Sequence, residues 1–254
     1  MTPALTAGRE TPIMIFAAAL LLPAALMVQA DASAGGAGAA APPSGALPHL
    51  TGSGEVRFRA CVNLIDLSPD HAYEEGMAWA AETHEVGGYR CAAMALAAEP
   101  GREAEAARRF EALAHTVSPD ETGLRAELFS QAGNAWLLAY DAAHARSDFT
   151  QGIAIMQADR TQLPDLLIDR ARSYALEKDY RHAEEDLSQA IDIRPQDALA
   201  LRLRASARMH QNAFDLAEAD AQAAVNLDPT NVDSLVTLGN AREAKRTGQA
   251  VEEQ

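Results

Sequence analysis

The chain is poor in aromatic residues. Aromatic side chains make up 5% of its 254 residues, although 48% of the residues are hydrophobic. Alanine supplies much of this apolar fraction, and alanine is the strongest helix former. The composition therefore favours helices over a β-sheet core.

The chain also lacks basic character. Its formal net charge is −15, with 21 Lys and Arg against 36 Asp and Glu. Because nucleic-acid binders need a basic surface, this balance excludes nucleic acid as a partner. We interpret the acidic excess as a solubility feature that also repels anionic membrane surfaces; mimicry of an acidic ligand is the alternative.

Catalytic and cofactor-binding motifs are absent. The sequence contains no HExxH, GxSxG, CxxC, GxxxxGK[ST] or GxGxxG, and its seven histidines are scattered singly. Acidic runs such as residues 184–186 are typical of a solvated helix face. We therefore expect no enzyme activity, cofactor, metal or small-molecule substrate. An enzyme site between Cys61 and Cys91 is the remaining alternative.

The first 30 residues resemble an export signal. Ile13–Val28 is apolar and uncharged, and Val28, Gln29 and Ala30 form a small-residue cleavage pattern. The run of about 16 residues is shorter than the roughly 20 that span a bilayer. We expect a cleaved signal peptide and a periplasmic or secreted protein; anchoring to the membrane by residues 13–28 is the alternative.

Two segments separate this signal from the repeats. Residues 31–54 are rich in Ala, Gly, Pro and Ser, which predicts a flexible linker. Residues 55–86 are predicted as an N-terminal helical lead-in. The alternation at 56–59 suggests a short extended piece, 61–67 resembles the end of a helix, and a second helix follows over about 71–84. Gly87 and Gly88 are expected to end that second helix.

Only two cysteines are present, Cys61 and Cys91. In an oxidising compartment such a pair tends to form a disulfide, which would join the lead-in to the first repeat. Two buried free thiols are the alternative.

A 34-residue pattern occurs twice in the second half of the chain. Each residue of the first copy has a counterpart 34 positions later. The first copy comprises Leu167, Ala171, Tyr174, Ala183, Leu187, Ala190 and Pro195, and the second Leu201, Ala205, Arg208, Ala217, Ala221, Ala224 and Pro229.

The spacing within each copy predicts two packed helices. Leu167, Ala171 and Tyr174 share one helix face, and small residues such as Ala183 let the next helix approach closely. Pro195 cannot continue a helix interior, so the chain turns there. One helical hairpin cannot bury its apolar face alone, and the pattern therefore predicts a stacked solenoid.

The order of large, small and aromatic residues, then small, large, small and Pro, resembles the tetratricopeptide repeat (TPR) family. The resemblance implies an all-α, right-handed superhelical solenoid over residues 87–246. The predicted layout is repeats at about 87–120, 126–159, 164–197 and 198–231, a short insertion at 160–163, a capping helix at 232–246 and a tail at 247–254. In the cap, Leu235, Gly239 and Arg242 continue the register.

The resemblance also implies a concave groove lined by the first helix of each repeat. Members that hold peptide C-termini use Asn and basic residues there as a carboxylate clamp. Asn134, Arg172, Arg202 and Asn240 offer this chemistry, whereas Asp169 and Leu203 depart from it; solvated arginines are the alternative. The full set of predicted groove residues is Ser130, Asn134, Leu137, Ile168, Arg172, Arg202, Ser206, Met209 and Asn240.

These features predict a non-catalytic protein-protein interaction scaffold of the bacterial cell envelope that binds a peptide or helix in the groove. The alternative is an accessory or regulatory subunit, or an assembly chaperone, of an envelope enzyme or complex. Architecture alone does not identify the partner.

Overall fold

A computed structural model describes residues 52–156 and 160–251. The predicted signal peptide, the linker up to residue 51 and the last three residues of the tail lie outside the described residues. Eleven helices and no strand are found within the described residues. They are α1 (Gly52–Ile65), α2 (Pro69–Thr83), α3 (Val86–Ala97), α4 (Glu103–Thr116), α5 (Thr122–Leu138), α6 (Ala142–Met156), α7 (Leu163–Leu176), α8 (Tyr180–Ile193), α9 (Ala198–His210), α10 (Phe214–Leu227) and α11 (Val232–Thr247).

The helices pack consecutively, each against the next. Among residues 52–156 and 160–251, four clusters of buried side chains follow one another in chain order, over α1–α3, α3–α7, α7–α9 and α9–α11. Because each cluster is built mainly from neighbours in the sequence, the fold is an all-α solenoid. None of the helices in the described part is long and apolar enough to cross a membrane.

The predicted packing stripe is buried. Leu167 and Ala171 on α7 and Ala183 and Leu187 on α8 lie in one cluster. Their counterparts Ala205, Ala217 and Ala221 lie in the next cluster, and Leu201 is buried as well. The small residues bring the helices of each hairpin together, as the 34-residue spacing predicts.

A left-handed residue ends the first helix of three hairpins. Tyr140, Lys178 and Asn212 have φ angles of 58°, 60° and 61° and connect α5 to α6, α7 to α8 and α9 to α10. This conformation is uncommon for residues other than glycine and asparagine. The conformation therefore marks one turn geometry repeated along the solenoid.

Buried ion pairs repeat with the same period. On α7, Arg170 donates from Nε and Nη2 to the two carboxylate oxygens of Asp186 on α8, both at 2.7 Å. Arg204 on α9 makes the same two bonds to Asp220 on α10, at 2.8 and 2.9 Å. Both members of the pair recur 34 residues later, so the repeat extends to its polar contacts.

The lead-in is helical throughout. Helix α1 begins at Gly52, inside the predicted linker, and it includes Val56–Arg59, so the expected extended piece is wrong. Gly88 and its neighbour do not end α2; they lie inside α3, and a Cβ at Gly88 would meet the backbone nitrogen of Ala80 at 2.6 Å. This glycine permits the close crossing of α2 and α3, and α2 ends instead at His84, with φ 57°.

A disulfide joins the lead-in to α3. It links Cys61 on α1 to Cys91 on α3, with Cα atoms 6.1 Å apart. On the same helix the buried guanidinium of Arg90 lies over the ring of Phe58 and donates to Glu127 and Gln131 on α5. The covalent link and the buried cation together attach α1 to the helices that follow.

The capping helix leaves its register stripe open. A Cβ at Gly133 on α5 would lie 2.6 Å from the ring of Phe149 on α6, whereas the equivalent Gly239 on α11 faces open space. Leu235 is 46% exposed, and in the part of the chain that the structure describes no helix follows α11 to cover it. The charged C-terminal end of α11 contacts α10, where Lys245 pairs with Asp215 and Glu218.

Two further boundaries differ from the prediction. Leu163, predicted as the end of an insertion, is the first residue of α7, with Pro164 in its first turn. The cap runs to Thr247 and ends at Gly248, whose left-handed conformation, φ 73°, closes the helix.

Candidate partner-binding groove

The first helices of consecutive repeats meet directly. Helix α5 contacts α7, and α9 contacts α11. Among the predicted groove residues, six are partly exposed on these helices: Ser130, Asn134, Arg172, Arg202, Ser206 and Asn240.

Three predicted groove residues lie in the core. Leu137, Ile168 and Met209 are 8%, 3% and 2% exposed. Each packs within one of the buried clusters. The groove that the resemblance assigned therefore includes three core positions, and these side chains cannot contact a partner.

Asp169 occupies the centre of the predicted clamp. Asn134 on α5 donates from Nδ2 to Oδ2 of Asp169 at 3.1 Å. Arg172, one turn further along α7, donates from Nη1 to Oδ1 at 3.2 Å. Burial raises the pKa of the Asp169 carboxyl, against the lowering effect of Arg172 and Asn134. Two of the four clamp side chains are thus bound to a carboxylate of the chain itself.

The second groove arginine also faces a carboxylate. Nη2 of Arg202 on α9 lies 3.8 Å from Oδ2 of Asp233 on α11. With Arg172 and Asp169, the strip contains two arginines and two aspartates. The formal charge of these four side chains is therefore zero, and both arginines of the predicted clamp are paired with aspartates of the chain itself.

A small cavity opens between α7 and α9. Its volume is about 60 Å³, and Arg172 and Ser206 lie on its wall. Its lining includes the buried apolar side chains Leu187 and Ala183 and the partly exposed Leu203 and Arg172. The cavity therefore reaches the surface at the groove.

A second unusual polar site lies away from the groove, between α4, α5 and α6. Asp148 is 3% exposed, and its Oδ2 has no hydrogen-bond partner. Burial and the adjacent carboxylate of Glu111 raise the pKa of Asp148 to about 8. Glu111 also accepts a bond of 2.6 Å from Nε1 of Trp136. This raised pKa favours the protonated form of Asp148 at neutral pH.

No sequence motif reveals this carboxyl pair, because Glu111 and Asp148 lie 37 positions apart and neither belongs to a motif. The sequence signal that could have located Asp148 was its position in the register of the repeat. Within the described residues, no three His, Cys, Asp or Glu side chains come together as metal ligands.

Several solved TPR domains resemble part of this chain. The first TPR of Spaghetti (RPAP3), bound to the HSP90 peptide SRMEEVD, is 25% identical, with a TM-score of 0.44 over 48% of this chain and 93% of that one. The second TPR domain of human RPAP3, in complex with the HSP70 peptide SGPTIEEVD, is 25% identical, with a TM-score of 0.44 over 49% and 98%. The Hsp90 co-chaperone Cns1 of Saccharomyces cerevisiae is 26% identical, with a TM-score of 0.48 over 50% and 41%.

No protein-family model matches the chain, and no curated protein matches it. The assignment therefore rests on the chain itself: consecutive helical hairpins, the buried 34-residue stripe, the repeated left-handed turns and the repeated Arg–Asp pairs. The chain is a helical-repeat protein with TPR architecture.

Proposed function

We propose that this chain is a non-catalytic scaffold that binds an extended peptide or a helix of a protein partner in the groove formed by α5, α7, α9 and α11. The observation that carries the proposal is the surface cavity between α7 and α9, beside polar side chains that can bond a peptide backbone. Ser206 and Arg172 lie at this cavity, and Asn134 lies one repeat away.

The test is partner capture with a blocked groove. Ser206→Trp places a large ring at the cavity, and Gln189→Trp places the same ring on the exposed side of α8 as a matched control. Both variants should melt within a few degrees of the parent. We expect the parent and Gln189→Trp to retain one stoichiometric partner from an envelope fraction and Ser206→Trp to lose it.

The same capture experiment separates the accessory-subunit and chaperone alternatives. A partner that co-purifies with an enzyme complex indicates an accessory or regulatory subunit, whereas many unfolded clients indicate an assembly chaperone. If Ser206→Trp captures the partner as well as the parent does, the binding site is not in this groove.

We further propose that the scaffold is exported by residues 1–30 and acts in the periplasm or outside the cell. Val28, Gln29 and Ala30 supply the small-residue pattern before Asp31. N-terminal sequencing of the envelope-fraction protein should find Asp31 at or near the first position. Recovery of an intact Met1 form in the membrane would support anchoring by residues 13–28 instead.

A further inference from the structure

The cavity between α7 and α9 has the size and lining for a small aliphatic group. Its volume is about 60 Å³, and Leu187, Leu203 and Ala175 contribute apolar walls. A buried water needs two to four polar partners, whereas a small apolar site can accept a hydrocarbon group. The polar side chains Arg172 and Ser206 can bond the backbone on either side of that group.

The charges around the cavity are already balanced by the chain. Arg172 on the cavity wall is bonded to Asp169, which also holds the amide of Asn134. A ligand carboxylate that approached Arg172 would meet the carboxylate of Asp169 on the same guanidinium, and like charges repel. The chain as a whole, with a net charge of −15, also repels a ligand carboxylate. An uncharged ligand meets neither penalty.

We propose that this cavity binds a small, uncharged aliphatic side chain of an extended partner segment, and that Asp169 excludes a free carboxylate from the same place. The proposal rests on the proposed function and specifies the chemistry of its partner. Asp169 acts as a specificity-determining residue, because it holds the groups that would otherwise bind the carboxylate.

Two small probes test this without the natural partner. N-acetyl-valine amide and N-acetyl-valine carry the same side chain. The first ends in an uncharged amide and the second in a free carboxylate. Each is titrated into the isotope-labelled chain while NMR follows the Leu203 methyl groups and the Arg172 Nε–H signal. The parent should bind the amide at least threefold more tightly than the acid. Asp169→Asn should reverse this preference, because it frees Arg172 to pair with the acid.

Two further variants control the experiment. Ala175→Phe should fill the cavity and abolish the response to both probes. Asp192→Asn removes one negative charge from α8. This variant should still prefer the amide probe to the acid probe if Asp169 alone sets that preference. Melting curves establish that each variant is folded.

Three results would overturn the proposal. The parent could bind the acid more tightly than the amide, Asp169→Asn could leave the preference unchanged, or the Leu203 methyl groups could respond to neither probe up to the solubility limit. If the chain captures its partner but gives any of these results, the proposed function stands and the proposed ligand chemistry is rejected. Retained partner capture by Ser206→Trp would reject the proposed function without affecting the probe measurement, so the two failures are distinguishable.

Discussion

Asp148 and Asp186 lie at the same position of consecutive repeats, yet of the two only Asp186 is held by an arginine. Ala145 and Phe149 around Asp148 correspond to Ala183 and Leu187 around Asp186, 38 residues later. By the same offset, the position of Arg170 is taken by Ala132 in the earlier repeat. Asp148 is therefore buried without the guanidinium that neutralises its counterpart. Protonation of the Asp148 carboxyl neutralises it instead.

This difference predicts a pH dependence of stability. The pKa of Asp148 is about 8 in the folded chain, against roughly 3.9 in an unfolded one. Between these values the folded chain keeps a proton that the unfolded chain loses, so the free energy of unfolding falls as pH rises, by up to about 1.4 kcal/mol per pH unit. The free energy of unfolding should stop falling above pH 8, where Asp148 is ionised in both the folded and the unfolded chain.

Asp148→Asn should remove this dependence, because the amide is neutral and can donate to Glu111. The variant should match the parent near pH 4 and become progressively more stable than the parent up to pH 8. Urea unfolding of both proteins at several pH values measures the difference. Parallel pH profiles of parent and variant would show that Asp148 is ionised when folded.

The matched substitution in the next repeat should have the opposite sign. Asp186→Asn breaks two charge-assisted bonds and leaves the guanidinium of Arg170 buried without its partner. Removing one member of such a pair costs roughly 3–5 kcal/mol. We expect a clear loss of stability at pH 7, measured by urea unfolding. Equal behaviour of the Asp148 and Asp186 variants would contradict the distinction between the two sites.

The small residues between paired helices should not tolerate enlargement. Ala183 and Ala217 are buried where α8 and α10 meet the first helices of their repeats. Replacing either with Leu should cost about 1–3 kcal/mol through overpacking. Glu185→Leu, on the exposed face of α8, is the control and should change the melting temperature little. Unchanged melting of both alanine variants is incompatible with the assigned register.

The disulfide should contribute most to the N-terminal helices. It closes a separation of 30 residues between Cys61 and Cys91. The chain-entropy model gives about 3–4 kcal/mol for a loop of this length. The double Cys→Ser variant should unfold at lower urea, and hydrogen exchange should increase first in α1 and α2. Equal stability of the oxidised and reduced parent would indicate that the link does not restrain the unfolded chain.

The sequence alone determined the helical hairpins of the second half of the chain. Leu167, Ala171 and Tyr174 are close in sequence, so helical spacing already places them on one face. Ala183 and Pro195 likewise define the second helix and its end. The lead-in was less predictable, because Gly88 serves a close helix crossing rather than a turn, and only the position of Ala80 on α2 shows this.

The tertiary structure decided which of the groove positions are accessible and how they are charged. Leu137 and Ile168 are buried, because each packs within one of the core clusters. Asp169 neutralises Arg172 and binds Asn134, a contact that depends on the approach of α5 to α7. Helical spacing orders side chains within one helix, whereas burial, pairing and protonation depend on which side chains another helix brings against them.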